Sequence, residues 1–315
     1  MDIFISQLYP LVNVDLLNRL GDPMKSICLN RFKWLRGLAV LLLMAVTGAG
    51  AMAQNPPDQS DEYRYERGLT ALQALDKEAA QGVLTSLKEI APDMGRFIIE
   101  FAYGDIHSRP GLDVKSRQVA TVAALTALGN AAPQLRFHLG AALNAGVTPR
   151  ELIEVIYVTT VFAGFPAGLN SVFEAKAVFA EHGKTVAPAA PLSGDRRSRG
   201  LAALEATSKG SGQAVLDGLK DIAPEMGAFI IDFSYGDIIA RKVLPPKWKE
   251  IAMICAAVAK GTMQPQLKVH IRAGLNVGLS RGEIIELMYQ MAVYAGFPAG
   301  INGIFAAQEV FAEQA

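Results

Sequence analysis

The chain has 315 residues, about the length of two ordinary domains, with 51% hydrophobic and 19% charged residues. Lys and Arg balance Asp and Glu at 30 each, so no net field attracts a polyanion, and no basic block outside the N-terminus suggests a nucleic-acid footprint. Two cysteines, Cys28 and Cys255, leave little room for a disulfide framework.

Residues 1–53 read as a targeting segment. Lys25, Arg31, Lys33 and Arg36 precede a short apolar run, Leu38–Val46, and Ala51-Met52-Ala53 offers small residues for cleavage after Ala53. The run is too short and too broken by Gly and Ala to make a good membrane span. Met24 followed by Lys25 reads as the start, with residues 1–23 upstream of it. The expectation is a periplasmic or secreted protein without a membrane anchor after cleavage, in which Cys255 is the only cysteine.

Beyond this segment, self-comparison is the most informative step. Leu87–Pro92 recurs as Leu219–Pro224, Tyr103–Ile106 as Tyr235–Ile238, His138 as His270, and Gly164–Gly168 as Gly296–Gly300, each pair 132 residues apart. The constant offset means two tandem domains without insertion or deletion, read as residues 66–183 and 200–315 with a linker at 184–199.

Each copy reads as helices throughout. The pattern predicts an amphipathic helix over Glu78–Ile90, stopped by Pro92, and a second over Met94–Gly104. Asp113 caps a third, Val114–Leu128, rich in Ala, Val and Leu. Pro133 opens a fourth that ends near Ala145-Gly146. Thr148–Glu151 is a capping box, repeated as Ser280–Glu283, and its helix runs to Phe162. Gly164 ends that helix, Pro166 starts the last one and Gly183 stops it. The apolar stretches Val119–Leu128 and Ile251–Ala259 need partners, so the copies are expected to pack on each other and on further chains.

The segment that varies least between copies is also the one richest in polar groups. Gln134 and His138, like Gln266 and His270, share a helix face at i, i+4. Glu154 and Tyr157, like Glu286 and Tyr289, meet one turn apart, while Glu151 and Glu283 are taken by the capping boxes. A histidine on an Ala-rich helix reads equally as a site or as a satisfied core group. His107 and His182 read as incidental. No phosphate loop, Ser-His-Asp arrangement or metal-type His/Cys cluster is visible.

A helix with one His, a Thr/Ser-capped helix continuing into Glu154 or Glu286, and then Phe162–Ala167 or its twin Tyr294–Ala299 together resemble the carboxymuconolactone decarboxylase family. That family shares its all-α fold with the AhpD alkylhydroperoxidases. The resemblance covers roughly residues 66–182 and 198–314. It implies two fused AhpD-like helical domains and a homo-oligomer, a trimer of tandem chains. The peroxidase branch uses Cys-x-x-Cys-x-x-x-His, where a thiolate attacks peroxide and a second thiol resolves it. Here Ala131 and Gln134 stand before His138, and Met263 and Gln266 before His270. Cys255 reads as a small buried residue, so that chemistry is disfavoured.

The decarboxylase branch implies cofactor-free loss of CO2 from a small carboxylated lactone. In that frame His138 and His270 are proton donors or enolate stabilisers, and Glu154 and Glu286 orient the imidazoles. Arg117 and Lys249 hold the substrate carboxylate, with Gln134, Gln266, Tyr157, Tyr289 and Tyr294 also touching substrate. The copies differ: Arg117-Gln118 faces Lys249-Glu250, and Phe162 faces Tyr294. With Glu250 and Tyr294 in its copy, His270 is the expected active member. The competing reading is a non-catalytic helical oligomer that binds a small ligand.

Overall fold

The computed structural model describes residues 60–313, apart from the side chains of Ser211, Gly212 and Val215. The targeting segment read at 1–53 lies outside them. Every regular element among the described residues is helical, and these residues form one compact unit.

The first copy comprises α1 (Asp61–Leu75), α2 (Ala79–Leu87), α3 (Pro92–Phe97), π1 (Ile98–His107), α4 (Val114–Leu128), α5 (Ala132–Asn144), α6 (Pro149–Ala163) and α7 (Phe165–Glu181). The second repeats them as α8 (Arg196–Ser208), α9 (Ser211–Leu219), α10 (Pro224–Phe229), π2 (Ile230–Ile239), α11 (Pro246–Lys260), α12 (Gln264–Asn276), α13 (Arg281–Tyr294) and α14 (Phe297–Glu313).

The predicted caps are present. Asp113 accepts a hydrogen bond from the Ser116 N–H at 3.0 Å. Both capping boxes close, with Glu151 accepting from the Thr148 N–H at 2.8 Å and Glu283 from the Ser280 N–H at 2.9 Å. Gly164 sits at φ 85°, a left-handed value that ends α6 and that side chains disfavour.

Two features differ from the sequence reading. Helices begin earlier than the copy boundaries assigned above, because Ser60 caps α1 and Asp195 caps α8 at 2.8 Å from the Ser198 N–H. The helix expected at Met94–Gly104 starts at Pro92 and widens into a π-helix that runs to His107. Its i→i+5 bonds include Tyr103 C=O to Ser108 N–H at 3.0 Å, and in the second copy Tyr235 C=O to Ala240 N–H at 2.7 Å. This wider turn is held against α1 by backbone contact. A Cβ on Gly68 would lie 1.9 Å from the Ile99 carbonyl oxygen, and one on Gly104 would lie 2.4 Å from that of Arg64.

The copies pack on each other through α4 and α11. Val119, Ala120, Val122 and Ala123 on one, and Ile251, Ala252 and Ile254 on the other, are fully buried in a single core. Trp248 donates its indole N–H to the Ser116 hydroxyl at 3.1 Å. These two positions are equivalent in the repeat, so this contact marks a pseudo-twofold axis between the copies. Small residues at the crossing let the helices approach, and the apolar stretches that lacked partners in sequence find them here.

Candidate active site

Around that axis, residues singled out for chemistry form ion pairs between the copies. Glu286 on α13 accepts hydrogen bonds from Arg109 at 2.9 Å and from Arg117 on α4 at 2.9 Å. Its counterpart Glu154 on α6 accepts from Arg241 at 2.6 and 2.7 Å and also pairs with Arg150. The Arg109 guanidinium stacks over the Tyr289 ring and that of Arg241 over Tyr157. Burial works against the charge on Glu286, but its bonds from Arg109 and Arg117 outweigh this and hold its carboxyl below the usual range.

The expectation that Glu154 and Glu286 orient the imidazoles is therefore corrected. Both carboxylates are held by arginines, and three of the four, Arg109, Arg117 and Arg241, come from the opposite copy. Arg117 and Lys249 are likewise engaged. Arg117 also donates to the Arg109 carbonyl and to Gln290. The Lys249 ammonium donates to the carbonyls of Ile239 at 2.7 Å and Arg241 at 2.5 Å, and burial lowers its pKa. Asn144 and Asn276, in the same little-varying segment, bond the last carbonyls of α1 and α8, at Leu75 and Thr207.

The imidazoles are held by the residues preceding the core of α4 and α11. His138 Nδ1 lies 3.0 Å from Gln118 Oε1, and His270 Nδ1 lies 2.8 Å from Glu250 Oε2. The opposite edge of each ring meets an aromatic residue from the other copy at a 5.1 Å centroid distance, edge-on: Tyr294 for His138, Phe162 for His270. Tyr294 thus belongs to the first copy's histidine, contrary to its assignment beside His270. Sequence alone gives a residue's place within its own copy, and here α6 and α13 exchange their ends across the axis.

This exchange makes the two histidines chemically different. In the first copy the Tyr294 hydroxyl is 3.1 Å from His138 Nε2 and 2.8 Å from His107 Nε2, so both nitrogens of His138 are occupied. The chain Gln118–His138–Tyr294–His107 is sealed: His138 is 3% exposed, and burial lowers its pKa to about 3. His107, read from sequence as incidental, is an integral link, and burial, then His138 and Arg117, keep it well below its ordinary value. Burial raises the Tyr294 hydroxyl.

These shifts set a pH dependence. The unfolded chain binds protons at these histidines below about pH 6.5 and the folded chain does not, so stability falls as pH drops through that value. Going from pH 7 to 5 is expected to cost about 2 kcal/mol for His138, and His107 acts in the same direction. Urea midpoints at the two pH values test this. His138→Gln should lose less stability on acidification than the wild type, and an equal loss in both would contradict it.

In the second copy the hydroxyl is missing, because Phe162 stands where Tyr294 stands in the first, and Ile239 replaces His107. A carboxylate only accepts hydrogen bonds, so Glu250 places the proton on Nδ1 of the neutral ring. Among the described residues Nε2 has no hydrogen-bond partner, and His270 lines a cavity of about 600 Å3. Gln266, one turn before His270, also lines it, as do Tyr235 and Ser234 on π2. The π-helical spacing brings Ile230, Ser234, Tyr235 and Ile239 to this one wall. Gln134, the twin of Gln266, is exposed and makes no bond to His138. Tyr235 and Ser234 were missed in sequence, although the repeat of Tyr103–Ile106 as Tyr235–Ile238 contained the signal. Cys255 is fully buried on α11, and burial pushes its thiol up.

The sequence model of the carboxymuconolactone decarboxylase family matches twice, over residues 92–177 and 224–309. The chain is 38% identical to 4-carboxymuconolactone decarboxylase of Acinetobacter baylyi over 125 residues, 39% of this chain and 92% of that protein. It is 29% identical to nitrosuccinic acid decarboxylase of Metarhizium robertsii over 116 residues, 36% of this chain and 80% of that one. A crystal structure described as a gamma-carboxymuconolactone decarboxylase subunit, from Burkholderia xenovorans, aligns with a TM-score of 0.50 and 26% identity. That alignment covers 82% of this chain and 100% of the other, a share that one copy cannot supply.

Proposed function

Because the chain belongs to the carboxymuconolactone decarboxylase family, we propose that it is a cofactor-free decarboxylase whose working site is the second-copy cavity. The observation that carries this reading is the His270–Glu250 pair, 2.8 Å apart, with the other imidazole nitrogen unpartnered among the described residues and beside a cavity of about 600 Å3. The substrate is a small molecule whose carboxylate is attached to carbon conjugated with a carbonyl, as in a carboxylated lactone. The bond to the carboxylate carbon breaks, its electron pair moves into the conjugated carbonyl to give an enolate, and CO2 leaves. Protonated His270 then donates from Nε2 to carbon and regains a proton from water. Glu250 fixes the ring and keeps the Nδ1 proton in place, so that Nε2 alone exchanges. An apolar wall penalises the compact charge of the carboxylate more than the dispersed charge of the transition state.

The test is CO2 release from carboxylated butenolides by the purified chain at pH 7. One CO2 per substrate consumed, without an added cofactor, is expected; substrate bound but never decarboxylated would defeat the reading and favour the ligand-binding alternative.

Self-association belongs to the same proposal. Phe165, Leu169 and Phe173 form an exposed stripe on α7, repeated at Phe297, Ile301 and Phe305 on α14. Two equivalent apolar stripes on one chain support a homo-oligomer, the trimer implied by the family resemblance. Sedimentation equilibrium is expected to give a multiple of the chain mass, and Phe173→Glu with Phe305→Glu to reduce it. A chain that is monomeric at all concentrations would refute this.

A further inference from the structure

We propose that the His270 cavity selects a substrate with a sizeable apolar body and a single polar head carrying no more than one negative charge. This rests on the reading of that cavity as the substrate site. Its walls are built from Met226, Met253, Met263, Phe162, Phe229 and Phe233. The polar lining is His270, Gln266, Ser234 and Tyr235, and among the described residues neither Lys nor Arg lines it.

Two cations beside the lining residue Ile239 have other partners. Lys249 donates to two backbone carbonyls, and Arg241 is held by Glu154. One carboxylate can lie against His270. A second would be buried among thioethers and rings without a counter-ion, near the carboxylate of Glu250, and burying an unpaired charge is strongly unfavourable.

Comparison of the copies points the same way. Three positions of this wall are polar in the first copy and apolar in the second: Thr121 becomes Met253, His107 becomes Ile239, and Phe162 occupies the place that Tyr294 takes beside His138. The histidine is retained while its surroundings lose their hydrogen-bonding groups. The volume, about 600 Å3, suits a ligand with a ring or branched body, whereas a small polar lactone would leave much of the methionine and phenylalanine surface uncovered. Methionine walls adapt to irregular apolar shapes.

A matched pair of probes tests the charge rule without requiring turnover. 3-Phenylpropanoate has one carboxylate; phenylsuccinate has the same framework with a second. Calorimetric titration of the full chain at pH 7 is expected to give a Kd about 10- to 100-fold lower for 3-phenylpropanoate. Met226, at the half-exposed rim of the cavity, tolerates a new side chain, and Met226→Arg is expected to bring phenylsuccinate to within a few-fold of the monocarboxylate. Equal or tighter binding of phenylsuccinate to the wild type would overturn the proposal. So would failure of both probes to bind up to about 10 mM, as when a second copy fills the cavity, or a preference unmoved by Met226→Arg, which would put binding elsewhere. If 3-phenylpropanoate is preferred while no carboxylated substrate releases CO2, the decarboxylase reading fails and the substrate class stands.

Discussion

Replacing His270 by glutamine is expected to lower kcat for CO2 release by about 10²–10⁴-fold, the usual contribution of a positioned general acid or base. Glutamine keeps a donor for Glu250, so the pair's hydrogen bond and the packing against Phe162 survive while the exchangeable proton at Nε2 is lost. His138→Gln should leave kcat within a few-fold of the wild type, because Tyr294 already occupies Nε2 of that ring. Circular dichroism and the thermal midpoint of both variants separate chemistry from folding. An active His270→Gln, or an inactive but folded His138→Gln, would reverse the assignment of the two copies.

Glu286→Ala should destabilise the chain by about 3–5 kcal/mol, because it leaves Arg117 charged and buried without its carboxylate. Arg117 is 1% exposed and its Nε has no partner among the described residues, so water cannot replace the lost bond, and Gln290 and the Arg109 carbonyl are neutral substitutes. Glu154→Ala should cost less, although the two residues are equivalent in the repeat. Its partners Arg150 and Arg241 are each about a fifth exposed and can turn to solvent, and Lys249, which replaces Arg117, bonds carbonyls instead of Glu154. Denaturant midpoints at pH 7 measure both. Equal losses for the two variants, or a loss below about 1 kcal/mol for Glu286→Ala, would show that burial of Arg117 does not set the cost.

The helices were legible because their ends carry local chemistry: Asp113, the Thr148 and Ser280 capping boxes, and Gly164 all act within a few residues of themselves. Helix α1 was not among the predicted elements, and Gly68 lies in its middle. The glycine is there because the Ile99 carbonyl comes so close that no Cβ fits. The repeat located both histidines but not their neighbours. Glu154, Tyr157, Glu286 and Tyr289 repeat faithfully and so resembled a site. They repeat because each copy uses them to grip the other. Conversely, Gln118/Glu250, His107/Ile239 and Tyr294/Phe162 differ between copies, and these differences decide which imidazole is free. A fixed offset of 132 residues cannot distinguish a contact within a copy from one across the axis. The paired loss of His107 and Tyr294 at the second site was the available signal, since each is the other's hydrogen-bond partner.

His270 presents a nitrogen without a partner among the described residues to a cavity, while its twin His138 has both nitrogens bonded. Diethyl pyrocarbonate acylates imidazole nitrogens that carry a free lone pair, and peptide mapping reports each histidine separately. At pH 7, His270 is expected to be modified soon after the exposed His182, with decarboxylase activity falling in step, while His138 and His107 remain unmodified in the folded chain. Modification of His138 ahead of His270, or full modification of His270 without loss of activity, would contradict the account.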